Sequence, residues 1–192
     1  MAEQPAPDRP PAAFRFADRL RPDAAEAVAA LRGLGLEAEL LSGDAPAAVR
    51  AAAEQTGIAA WRGSADPEAK AARVAALRDA GRRPLMLGDG INDAGALALA
   101  HVSASPAEGT DLAQGVADVV LQGGRLMALP AAVAAARRAM RLSRQNIGMS
   151  LAYNAVAVPA AVAGLVTPLL AAAVMAASSL AVILNALRAG RD

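Results

Sequence analysis

The sequence predicts an α/β fold, a partial parallel sheet with flanking helices, followed by a two-helix transmembrane hairpin. Three observations carry that expectation. Strand and helix signals alternate from Arg21 to about Arg125, the pattern of a parallel sheet covered by helices. The apolar run Pro84–Leu87 leads directly into Gly88-Asp89-Gly90-Ile91-Asn92-Asp93, as a buried parallel strand leads into a ligand loop. Residues 145–187 contain no Lys, Arg, Asp, Glu or His, a length that fits two membrane crossings of roughly 20 residues each.

The elements follow in order. Arg21-Pro22-Asp23 opens an alanine-rich helix closed by Gly33 and Gly35, with Pro in a first-turn position and Asp near the positive end of the helix dipole. Glu37–Leu41 is a short strand ending in Ser42-Gly43-Asp44, and Ala45–Thr56 a helix stopped by Gly57. Asp66 is placed to cap a helix that runs to about Ala80. After the strand Pro84–Leu87 come a short helix at Ala94–Ala100, a strand at His101–Ser105, a helix at Thr110–Gly115 and a strand at Asp118–Leu121. Leu126–Arg144 is a basic helix with Arg137, Arg138, Arg141 and Arg144 at helical spacing. Gly164-Leu165-Val166-Thr167-Pro168 supplies the turn of the hairpin. The expected organisation is a disordered lead-in at 1–13, an α/β part at 14–125, a basic linker helix at 126–145 and the hairpin at 146–188.

Composition narrows the chemistry. Among 192 residues only 2% are aromatic, and alanine buries little area, so a soluble core is thin in side-chain volume. A net charge of +1 gives no reason to expect nucleic acid as a partner. The absence of cysteine excludes disulfides, zinc–thiolate sites and thiol catalysis. Met1–Pro11 has no apolar core and does not read as a signal peptide. Arginines before the uncharged stretch, with Arg188 and Arg191 after it, place both ends of the hairpin on the cytoplasmic side of a bacterial-type inner or plasma membrane.

The loop at 88–93 falls where parallel sheets bind ligands, at the carboxyl end of a strand. Gly88 and Gly90 let the backbone approach a phosphate, the following helix start favours an anion, and Asp89 would hold a hard cation such as magnesium through oxygen. A tight turn with polar caps would use fewer such residues. Ser42, Gly43 and Asp44 also end a strand and could meet a phosphoryl oxygen, although such tripeptides are common turns. Lys70, the one lysine of the chain, reads by itself as a solvated surface charge.

Taken together, Leu41-Ser42-Gly43-Asp44, Asp66-Pro67 through Lys70, and Met86 through Ala94 resemble the phosphorylation domain of a P-type ATPase. That domain has a haloacid dehalogenase-like fold. Gly109-Thr110-Asp111-Leu112-Ala113-Gln114 and Ala117-Asp118 extend the likeness. The membrane part, with Ala152-Tyr153-Asn154-Ala155, Pro159, Pro168, Met175-Ala176-Ala177-Ser178-Ser179 and Leu184 through Arg188, resembles the heavy-metal, copper-type pumps. Trp61-Arg62 and Tyr153-Asn154 are similar to the branch linked to cytochrome oxidase assembly. The likeness covers about residues 14–188.

The resemblance implies an ATP-driven cation pump working through an aspartyl phosphate. It implies Asp89 as magnesium ligand, Asn92 and Asp93 as organisers of the phosphate site, Ser42 in contact with the phosphoryl group and Lys70 offsetting its charge. Tyr153, Asn154, Met175 and Ser178 would line the path of the transported ion, the thioether suiting monovalent copper. Read from the residues alone, Ser178 and Ser179 favour helix packing and Met175 stays open between packing and a path.

One departure matters most. No Asp-Lys-Thr-Gly-Thr segment occurs in the chain, so the residue that is phosphorylated, on a normally central strand of the sheet, is absent. Asp18 and Asp23 match a later part of the family pattern. The regions implied for ATP binding, for dephosphorylation and for a Cys-Pro-Cys membrane helix are absent too. The expected account is a gene fragment, a split coding sequence or a piece of a longer pump, inactive alone and completed by a separate N-terminal chain. Two other readings stand beside it: a membrane-tethered magnesium-dependent phosphatase, for which no nucleophilic aspartate is in place, and a non-catalytic piece acting through a partner chain.

Overall fold

The computed structural model describes residues 19–190; the expected lead-in at 1–13, Asp18 and Arg191 lie outside them. The chain runs α1 (Ala24–Gly33), β1 (Glu39–Leu41), α2 (Pro46–Thr56), β2 (Ala60–Arg62), α3 (Pro67–Asp79) and β3 (Leu85–Leu87). A 3₁₀ turn (Ile91–Asp93) leads into α4 (Ala94–Leu99), followed by β4 (Val102–Pro106), α5 (Asp111–Val116) and β5 (Val119–Leu121). Two long helices complete it, α6 (Ala128–Val162) and α7 (Pro168–Ala186).

The α/β fold with parallel strands is as the sequence predicts. Its sheet is divided. β1 pairs with β2, and β3, β4 and β5 form a separate sheet in that order, every pairing parallel. The outward edges can be read from the ladders, because a residue in a strand turns its N–H and C=O to the same side. Ser42 N–H donates to the Arg62 carbonyl, and the Ser42 carbonyl accepts from Ala65 N–H. Leu41, one residue earlier, therefore turns its backbone groups away from β2. Gly88 N–H donates to the Ala104 carbonyl, so Leu87 and Leu85 turn theirs away from β4.

Helices hold the two half-sheets in one body. On α3, Arg73 forks onto Glu39 of β1 with bonds of 2.9–3.1 Å, and Lys70 reaches the loop after β3. Glu39 holds the Arg73 guanidinium above its ordinary pKa, by its hydrogen bonds first and then by its charge. α1 packs on α2 while its Leu31 lies on the cluster of Ala104, Leu121 and Leu129 with Leu85 and Leu87.

The core is as thin as composition predicts. Among the described residues, Ala24, Ala27, Ala53, Ala65, Ala96, Ala104 and Ala113 make up seven of the thirteen buried hydrophobic residues, so burial supplies less than a Leu- and Phe-rich core of that size would. Polar ties compensate. The Asp118 carboxylate accepts from Ser103 N–H at 2.8 Å and Ser103 O–H at 2.9 Å, and Asp118 N–H donates back to Ser103 Oγ. The Ser103 N–H, and then its hydroxyl, hold this carboxyl below its usual pKa.

A carboxyl with a depressed folded pKa stabilises above its unfolded value and loses that contribution as pH falls through the folded one. The β4–β5 unit should therefore weaken below about pH 4. Asp118→Asn should unfold at lower temperature at neutral pH and show a flatter dependence in that acidic window. Thermal melts at stepped pH check this, and an Asn variant matching the original chain at every pH would contradict it.

Two expectations about elements need correction. The segment Ala60–Arg62, not predicted as a strand, is β2. The hairpin contains one helix, Pro168–Ala186, apolar and long enough to cross a membrane by length and composition, where two were expected. The other arm falls short because Gln145, Asn146, Tyr153 and Asn154 dilute its apolar residues. It also has no separate start, since α6 runs from Ala128 to Val162 without a break at 145. At the base of the hairpin Asn185 Nδ2 donates to Asn146 Oδ1 at 2.8 Å, joining the two helices.

Candidate active site

The site lies at the carboxyl ends of β1 and β3, on loops that glycine and short side chains shape. After β1, Ser42 Oγ donates to Asp44 Oδ2 at 2.8 Å and accepts from Asp44 N–H at 3.2 Å, a closed turn with Gly43 and Asp44 exposed. The Ser42 carbonyl takes Ala65 N–H at 2.9 Å. The chain then enters α3, where the Asp66 carboxylate accepts from Ala69 N–H at 2.7 Å, the N-cap read from the sequence. One turn further, Lys70 projects toward the other half-sheet.

Lys70 Nζ and Asp93 Oδ1 are 2.8 Å apart, each side chain 12% exposed. The surface reading of this lysine is thereby set aside. Asp93 reaches it because the chain folds back after β3. A Cβ at Gly88 would lie 2.6 Å from Asp93 Cβ, so the space that glycine leaves on that side is filled by Asp93. Any side chain at 88 overpacks this corner, at a cost of about 1–3 kcal/mol.

Asp89 is exposed. Its carbonyl accepts from Thr110 N–H at 2.9 Å, and no protein group among the described residues bonds its carboxylate. Asn92 is exposed on the 3₁₀ turn and Gly90 half-buried. The helix after this loop has six residues. Among the described residues no cluster of three acidic, His or Cys groups forms a metal cage. One free carboxylate at a strand end does suit magnesium, which keeps water and substrate phosphate as most of its ligands.

Ser42, Lys70 and Asp93 are thus linked through the Ala65–Lys70 segment, while Asp89 is tied to the 109–110 turn. In the hairpin, Tyr153 and Asn154 line a groove with Val166, Leu170 and Val174. Met175, 64% exposed, and Ser178 are not among the residues lining it. The ties from Gln114 to the 107–109 turn, described below, were not legible in the sequence.

The family signature of haloacid dehalogenase-like hydrolases matches residues 3–101, more than half of the chain. The chain belongs to the haloacid dehalogenase-like hydrolase family. Within that family its likeness is to heavy-metal P-type ATPases. It is 49% identical over 90% of its length to the nitrogen fixation protein FixI of Bradyrhizobium diazoefficiens, of which it covers 24%. It is 39% identical over 90% of its length to a copper-exporting P-type ATPase of Staphylococcus aureus, covering 21% of that protein. A crystal structure of a zinc-transporting PIB-type ATPase in the E2·Pi state superposes with a TM-score of 0.85 at 33% identity, over 91% of this chain and 28% of the other. The chain therefore spans about a quarter of the length of the curated relatives it matches.

Proposed function

We propose that this chain is the part of an ATP-driven heavy-metal pump that carries half of a phosphoryl-transfer site and a membrane hairpin, and that a further strand completes it. The divided sheet carries this reading. The residues matching the family site stand at the ends of β1 and β3, and among the described residues each of these strands has a backbone edge without a strand partner, at Leu41 and at Leu85 and Leu87. A parallel strand between them would restore one sheet and bring its terminal residue beside Lys70, Asp93 and Asp89. In the family resemblance that residue is the phosphorylated aspartate.

The chemistry then follows from the groups present. The strand's carboxylate oxygen attacks the terminal phosphorus of ATP, and the bond to ADP breaks as the new P–O bond forms. Lys70, aimed by Asp93, places a fixed positive charge beside the developing negative charge. Ser42 O–H, now donating to Asp44, turns to a phosphoryl oxygen. Magnesium, held by Asp89, would supply further charge neutralisation when bound. Asn92 orders the loop around the phosphate, with Gly43, Asp44, Gly88 and Gly90 shaping the two strand ends.

The remaining assignments belong to the same reading. Residues 14–125 form part of the phosphorylation domain, 126–145 the basic helix and 146–188 the hairpin, with both termini cytoplasmic. Tyr153, Asn154, Met175 and Ser178 contribute to the ion path. Monovalent copper is favoured because Met175 supplies a soft thioether in a chain without cysteine.

The test is phosphorylation by ATP labelled on its terminal phosphate. The chain is assayed alone, then mixed with an upstream polypeptide carrying Asp-Lys-Thr-Gly-Thr, with Cu⁺ or Zn²⁺ present. A hydroxylamine-sensitive phosphate on the upstream polypeptide, formed only in the mixture and raised by Cu⁺ over Zn²⁺, is expected. Magnesium-dependent ATP hydrolysis by the chain alone would overturn the reading.

A further inference from the structure

The segment Gly109–Gln114 extends the family likeness but has no part in the reaction above. We infer that the turn at 107–110, pinned by the Gln114 carboxamide, positions Asp89 as a metal ligand; this rests on the reading of Asp89 just proposed.

The Asp89 carboxylate is exposed and has no hydrogen-bond partner among the described residues, so its direction is set through its backbone. The hydrogen bond from Thr110 N–H to the Asp89 carbonyl, at 2.9 Å, makes that connection. The contact is close. A Cβ at Gly109 would lie 3.1 Å from the Asp89 carbonyl oxygen, 3.0 Å from the Pro106 carbonyl oxygen and 2.7 Å from Ser105 Oγ. Ser105 is fully buried in β4, so a side chain at 109 would crowd the space between its hydroxyl and the Asp89 carbonyl. Glycine at 109 thus lets the turn seat against the loop.

Gln114 closes the turn from the other side. Its Nε2 donates to the Gly109 carbonyl at 2.8 Å and to the Ala107 carbonyl at 3.1 Å. The Thr110 side chain caps α5 by accepting from Ala113 N–H at 3.3 Å. The path therefore runs from Gln114 to the 107–109 carbonyls, to Thr110 N–H, to Asp89. Gln114, Gly109 and Thr110 are positioning residues in this account. Groups of this kind around a metal ligand typically hold a ten- to hundredfold share of metal affinity.

Thr110 offers a direct test. Its φ of −66° is a value proline adopts, so Thr110→Pro suits the local backbone but replaces the N–H that bonds the Asp89 carbonyl with a ring carbon that pushes the Asp89 loop away. Thr110→Ala keeps the N–H and loses only the hydroxyl cap. The experiment measures Mn²⁺ binding by electron paramagnetic resonance, with the full chain in detergent. Hydrogen exchange over residues 86–93 and over 39–62 is followed in parallel.

Asp89→Asn should abolish binding. Gln114→Ala and Thr110→Pro should each weaken Mn²⁺ binding by about tenfold and speed exchange at 88–93 without changing it at 39–62. Thr110→Ala, which keeps the N–H to Asp89, should weaken binding less than Thr110→Pro does. Gln114→Ala and Thr110→Pro binding normally while Asp89→Asn does not would overturn the positioning inference. So would an equal loss in Thr110→Ala and Thr110→Pro. If the original chain binds no Mn²⁺, or Asp89→Asn binds it equally well, the metal reading fails and the inference with it.

Discussion

Replacing Lys70 by alanine is expected to cut aspartyl-phosphate formation in the completed pump by about a hundred- to a thousandfold, the usual effect of losing one preorganised charge at a transition state. The ammonium is held for this task. It sits 2.8 Å from Asp93, both side chains 12% exposed, on a helix whose first turn Asp66 caps. Its loss has a second consequence, because Asp93 is left charged and unpaired in a confined place. Breaking such a pair costs about 3 kcal/mol, which would lower the unfolding temperature as well as the rate. The two effects can be separated. Removing Asp93 together with Lys70 should recover much of the stability and none of the phosphorylation. Thermal melts and labelled-phosphate incorporation on the single and double variants check this; normal phosphorylation of Lys70→Ala would exclude the lysine from the reaction.

The second large effect concerns folding. Among the described residues, a core of which seven in thirteen buried hydrophobic residues are alanine, divided between two short sheets, leaves little apolar burial to oppose chain entropy. The α/β part of the chain alone should therefore unfold broadly and at low temperature. A polypeptide bearing the missing strand binds only the folded form, and at a hundred times its dissociation constant it stabilises by about 2.7 kcal/mol. For a domain of this size that shifts the midpoint upward by roughly 10 °C or more. Circular dichroism melts with and without the upstream polypeptide measure it. A sharp, high transition of the chain alone, unmoved by the addition, would remove the physical need for a further strand.

Much of the scaffold was legible in local signals. Asp66 announced a helix start and caps it, and the run Pro84–Leu87 announced β3, because capping and apolar runs act over a few residues. β2 was not legible. Ala60, Trp61 and Arg62 show no alternation, and they become a strand only through pairing with Glu39–Leu41. The division of the sheet is likewise a matter of partners, which no periodicity encodes.

In the site, the order of Ser42, Lys70, Asp89 and Asp93 was readable from the motifs. The Lys70–Asp93 bond was not, since it spans 23 positions. That Asp93 fills the space a side chain at Gly88 would need was likewise hidden, since it depends on how the loop folds back. Gln114 was readable only as part of the family likeness, because its two bonds to carbonyls of a turn leave no local signal of a role. The hairpin was read as two membrane-crossing arms, and one is apolar and long enough. Alanine, leucine, methionine and arginine continue α6 unbroken from Ala128, and four polar residues then dilute its far arm.

The claim that this chain holds half of a phosphoryl site is tested most directly by acyl-phosphate formation from labelled ATP and magnesium. The account predicts no label with the chain alone or with the upstream polypeptide alone. It predicts a hydroxylamine-sensitive label on the upstream aspartate when the two are mixed, lost again with Asp89→Asn. Label on the chain itself, in the absence of any added strand, would contradict it.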